Sequence, residues 1–159
     1  MKYENLFNDF AAEIGIADGP AFDADGVWRV ASESGTFAFS TVPETDELLI
    51  FSELFALPEK GRGKFQTALL RANFMNRGTE GAVLSLSDND RVCLHRRARL
   101  DGLTVETLVD IFERFVRVAF EWQAIVRDFS ATDGEASSDE SPVGSNGGSG
   151  LVTDGFIQV

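Results

Sequence analysis

The stretch from Asp46 to Pro58, DELLIFSELFALP, is apolar on both sides of any strand it can form. Side chains alternate along a strand, so Leu48, Ile50 and Leu54 take one face while Leu49, Phe51 and Phe55 take the other. One of those faces can belong to the domain's own core. The other needs a covering helix, a second subunit or a partner.

The surrounding pattern supplies the rest of a small α+β domain. Tyr3, Leu6, Phe7, Phe10 and Ile14 fall on one arc of a helical wheel, opposite Asn5, Asn8, Asp9 and Glu13, which predicts a one-faced first helix. Gly, Pro and Asp interrupt it before VWRVAS, the turn ESG and TFAFSTV, which read as a hairpin; the turn PETD then adds ELLIFSEL as the third strand of an antiparallel meander. KFQTALLRANFMNR predicts a second helix, with Phe65, Ala68, Leu69 and Ala72 on one stripe and Leu70 and Phe74 nearly opposite, so one sheet cannot bury both sides. GAVLSLS and RVCLHRRA around DND read as a second hairpin. A long helix follows from about Thr104 to Phe129. Its polar side offers i,i+4 pairs, Asp110 with Arg114 and Glu113 with Arg117. Its other sides carry two apolar stripes, Val105, Val109, Phe112, Val116 and Phe120 beside Ile111, Phe115, Val118 and Trp122.

The expected order is therefore αβββαββα, with helices over one side of a mostly antiparallel sheet. Residues 1–129 form this domain. From Ser130 the chain turns acidic and rich in Ser and Gly over SATDGEASSDESPVGSNGGSG, too poor in large apolar side chains to offset its ordering entropy, so residues 130–159 are expected to be a disordered tail whose last residues, LVTDGFIQV, are apolar again and offer a docking segment.

A formal charge of −12 over 159 residues argues against nucleic acid and anionic membrane, which reward Lys and Arg, and favours a soluble protein partner. Cys93 is the only cysteine, so no intramolecular disulfide can form and a reducing compartment, the cytoplasm, fits. MKYENLFNDF lacks the basic and apolar regions of a secretory signal, and no run reaches the length of a membrane span.

Motifs for catalysis or metal do not assemble. GRGK, Gly61 to Lys64, lacks the spacing of a phosphate loop and reads as a helix start. DADG at Asp23 to Gly26 lacks the later glutamate of a calcium loop. Cys93 and His95 share a strand face, but no carboxylate at a recognisable spacing orients them, and together they cannot fill a zinc site. No enzyme and no cofactor is expected. Arg91, Arg96, Arg97 and Arg99 surround His95 as the densest positive patch; they read as partners for the chain's own carboxylates, with an anion or acidic peptide as the alternative.

Taken in order, LFNDFAAEIGI, GVWRVASESGTFAF, ELLIFSELFALP and LLRANFMNRGTEGAVLSLSDNDRVCLHRRARLDGLTVETLVDIFERFVRVAFEW resemble a class I type III secretion chaperone over roughly Met1 to Phe129. The resemblance implies an acidic cytoplasmic homodimer that binds the non-globular segment of a secreted effector and keeps it soluble and export-competent, with components of the secretion apparatus as further partners. An adaptor or sensory module of related fold, binding a regulatory protein, is the alternative. It further implies a dimer seam from the second helix and the strand after it, with Leu70, Phe74 and Val83 as candidates, and an effector path over Leu6, Phe7, Phe10, Phe37, Phe39, Leu49 and Phe51. The acidic surface is expected to favour basic effector segments by long-range attraction.

Overall fold

The computed structural model describes residues 3–135. Its elements run α1 (Glu4–Glu13), β1 (Val27–Ser32), β2 (Gly35–Val42), β3 (Glu47–Ala56), α2 (Arg62–Asn73), β4 (Val83–Leu86), β5 (Arg91–Arg99) and α3 (Val105–Glu135), the α+β order expected. The strands form one antiparallel sheet in the order β1-β2-β3-β5-β4. The second hairpin thus docks through its later strand, and β4 becomes an edge.

Local chemistry starts and stops these elements. Asp23 leads into β1 by accepting hydrogen bonds from the Asp25 and Val27 amides, which accounts for DADG as a strand entry. Gly61, left-handed at φ 63°, opens α2, so GRGK is a helix start. Thr104 caps α3: its hydroxyl accepts from the Thr107 amide at 3.3 Å, and Glu106 adds a carboxylate to the first turn.

All three helices pack on one face of the sheet, and aromatic side chains fill the space between. Phe10 of α1 meets Trp28, Phe39 and Phe112 with ring centroids 6.0, 5.5 and 5.6 Å away. Farther along, Phe65 of α2 meets Phe55, Trp122 and Phe129. Fully burying each such side chain stabilises the fold by about 1.5–3 kcal/mol. The stripe Ile111, Phe115, Val118 and Trp122 is buried, whereas its neighbour grades from buried Phe112 through half-buried Val109 and Val116 to exposed Phe120.

Three expectations need correction. The last helix continues to Glu135 instead of stopping near Phe129, while the tail expected beyond it lies, past residue 135, outside the described residues. The second helix stops at Asn73, so Phe74 leaves the helical wheel: it opens a 3-10 turn, Phe74–Asn76, in which Met75 is left-handed at φ 54°. The chain must bend sharply there to bring Gly78 back against the helix. The Gly78 amide donates to the Ala72 carbonyl at 3.1 Å, and a Cβ on Gly78 would lie 3.0 Å from that of Ala72. Finally, Arg117 reaches Glu80 at 3.2 Å instead of a helical neighbour, although Arg114 pairs with Asp110 as expected.

Candidate functional site

Strand alternation sends every second side chain of the sheet away from the helices. The register joins five of them into one row across all strands, Arg29, Ala38, Phe51, His95 and Val83. A second row runs Val27, Ser40, Leu49 and Arg97. Phe51 on the central strand keeps 38% of its surface exposed, a large value for a residue at the middle of a sheet face, and Val83 on the edge strand keeps 41%. This is the face that the two-sided apolar strand required something to cover.

A second apolar patch adjoins it at β4. Leu70, Phe74 and Met75 are 73, 62 and 74% exposed, and Leu86 is also exposed on the edge strand. Asn73 ties the two elements together: its side-chain amide donates to the Leu84 carbonyl and accepts from the Leu84 amide, both at 2.9 Å. Those bonds occupy backbone groups that an edge strand would otherwise present to another chain. Arg77 lies over the Phe74 ring, 5.8 Å from its centroid.

The candidate residues separate into three groups. Phe7, Phe10, Phe37 and Phe39 have no exposed surface, which corrects their expected contact with an effector: they are the core beneath the surface, since the helices cover their face of the sheet. Leu6 and Leu49 are half-buried, and Phe51 is open. Leu70, Phe74 and Val83 are all exposed, and Val83 lies in the same row as Phe51. Met75, Leu86 and Ala38 escaped sequence reasoning. Ala38 is too small to signal a surface, and Met75 matters because of a backbone turn that helical periodicity hides.

Arginines frame the sheet face. β5 directs Arg91, Cys93, His95, Arg97 and Arg99 to it, and β1 adds Arg29. Arg97 meets Glu47 at 3.2 Å, Arg91 meets Glu53 at 2.7 Å, and Arg29 pairs with Asp23. Hydrogen bonds from Thr45 and Arg97 hold the Glu47 carboxyl below its ordinary value. Arg96 points the other way and donates to the Glu80 carbonyl.

Cys93 and His95 share this face as their spacing requires, but their chemistry runs against nucleophilic activation. Burial, with help from Glu53, pushes the Cys93 thiol up, and burial, with Arg97, pushes the His95 imidazole down. Both changes favour the neutral forms, the opposite of a thiolate and imidazolium pair. The near neighbour of the imidazole is a hydroxyl, Ser85, 3.5 Å from Nδ1. Among the described residues no group of His, Cys, Asp or Glu could hold a metal ion, and no helix is long and apolar enough to cross a membrane.

The profile of the Tir chaperone protein (CesT) family matches residues 5–123. No curated protein matches the chain by sequence. Solved structures of similar fold include a chain of the ExsC–ExsE complex, 18% identical with a TM-score of 0.65 over 77% of this chain and 92% of that one. A chain of the HopA1–SchA chaperone–effector complex matches equally, at 18% identity and TM-score 0.65 over 77% and 93%. A chain from the complex of the Yersinia pestis type III secretion chaperone SycH with a stable fragment of YscM2 is 19% identical, TM-score 0.60, over 74% and 96%.

Proposed function

From the premise that this chain belongs to the Tir chaperone protein (CesT) family, we propose that it binds an extended segment of a type III secreted effector in the bacterial cytoplasm and keeps that effector soluble and ready for export. The observation that carries this reading is family membership across residues 5–123 together with the open sheet face centred on Phe51. Chains of similar fold occur in solved complexes with partners, among them the HopA1–SchA chaperone–effector complex. The action is binding without turnover: apolar side chains of the effector gain burial on Leu49 and Phe51, while an extended backbone follows the strands. Leu6 on α1 is a further contact. Phe7, Phe10, Phe37 and Phe39 act from below, holding α1 and the sheet rigid.

The chain works as a homodimer whose seam contains Leu70, Phe74 and Val83. Their exposure, and the continuity of α2 with β4 through Asn73, support that reading. A two-fold seam would set each Phe74 against the matching patch of its partner. Residues 1–129 carry the chaperone unit, and residues 130–159 are an appendage to it.

Co-expression with a secreted effector tests the function. The effector should stay in the soluble fraction and be exported only when the chaperone is present, and Phe51→Asp should lower its recovery by about tenfold, the effect of losing one buried aromatic contact. An effector equally soluble and exported without the chaperone would contradict the proposal.

A further inference from the structure

We propose that the open face of the sheet selects a client segment whose apolar residues are flanked by carboxylates, so that the part of the client lying there is acidic and not basic. The inference rests on the chaperone reading and names the chemistry of the segment bound. Net charge alone, at −12, predicts a basic client. The register contradicts that on this face. Ala38, Leu49 and Phe51 form the apolar ground, and Arg29, Arg91, Arg97 and Arg99 project from the same side of the sheet, where they outnumber the strand carboxylates Glu47 and Glu53. From Arg91 to Arg99 the strand extends roughly 26 Å at about 3.3 Å per residue, the reach of an extended segment of about eight residues. Arg97 and Arg99 stand toward one end, Arg91 toward the other, and His95 and Cys93 lie between them.

The existing ion pairs leave these cations usable. Arg29, Arg91 and Arg97 have partners in Asp23, Glu53 and Glu47; the first two pairs are open to water, and in the third Arg97 is exposed while Glu47 is half-buried. Exposed pairs are worth about 0–1 kcal/mol, so a client carboxylate can replace a resident one at little cost. Arg99 has no ion pair among the described residues. A lysine or arginine laid along the same path would meet those four guanidiniums, and like charges across adjacent strands are destabilising. Long-range attraction can still gather a basic client to the protein, but local pairing decides which of its segments fits this face.

The test uses the full-length protein and two fluorescent synthetic peptides with the same alternating Leu, Thr, Ile and Val centre, one flanked by Asp and Glu, the other by Lys and Arg. Fluorescence polarisation should give at least about fivefold tighter binding of the acidic peptide at low ionic strength, with the difference shrinking as salt screens the charges. Arg97→Glu with Arg99→Glu should reverse the preference, Arg29→Glu on a different strand should weaken it, and Phe51→Asp should abolish binding of both peptides. Circular dichroism identifies any variant that has lost its fold, and Arg29→Glu then decides if the double variant fails. A preference for the basic peptide, a preference unchanged by the arginine substitutions, or no binding of either peptide would overturn the proposal. The last outcome would leave the chaperone reading standing or falling on effector solubility and export.

Discussion

Thr79 carries a buried hydroxyl with no hydrogen-bond partner among the described residues, in the loop whose Gly78 carbonyl accepts from the Trp122 indole. Thr79→Val keeps the volume and removes the unmet polar group, and should raise stability by about 1 kcal/mol in urea unfolding. A loss of stability would mean the hydroxyl is bonded. His95 makes an opposite kind of prediction. Burial and Arg97 hold its imidazole below the ordinary value, so the unfolded chain takes up the proton first. The neutral ring's contribution is complete above about pH 6.5 and is lost as pH falls through that value toward the lower one of the folded state. His95→Gln, flanked as it is by Phe51, Val83, Ser85 and Arg97, should therefore lose less stability than the parent between about pH 7.5 and 5.5. An equal loss in both would remove His95 from the account. At this scale the sequence is ambiguous for a clear reason: Phe37, Phe39 and Phe51 are the same side chain on strands, and local pattern assigns each only to a face. Which face the helices cover is decided by tertiary packing.

Among the elements, α2 and β4 depend on each other through Asn73. Asn73→Ala removes two hydrogen bonds and leaves the Leu84 amide and carbonyl to find water, a cost of about 1–3 kcal/mol measurable as a lower urea midpoint. It should also increase self-association through the uncovered edge at high concentration, seen by light scattering. A variant as stable as the parent would show that the latch is redundant. The elements themselves were legible because their signals are local: one-sided periodicity for α1, alternation bounded by ESG and PETD for the meander, and two stripes for α3. Their neighbours were not. Nothing in GAVLSLS or RVCLHRRA says that β5, and not β4, will pair with β3, since both are short apolar strands and the choice depends on which register buries Val92 and Leu94 under the helices. The end of α2 is hidden from local pattern for a similar reason. Phe74 fits the wheel by spacing, yet the tight approach of Gly78 to Ala72 requires the turn.

For the whole molecule, DELLIFSELFALP had already implied that one chain cannot hide all its apolar surface, and the sheet bears this out: Leu48 and Ile50 are fully buried while Phe51 between strands β2 and β5 stays open. How many chains supply the cover is not written in any periodicity. The proposed division of labour assigns the sheet face to a client and the Leu70, Phe74 and Val83 surface to a second copy. Sedimentation equilibrium on the full-length protein tests this most directly. The account predicts a mass twice that of the 17.4 kDa chain, falling to that of a single folded chain in Phe74→Glu, because a charge cannot be accommodated in an apolar seam. A parent protein that remains a single chain at every concentration, or a Phe74→Glu variant that stays paired, would contradict it.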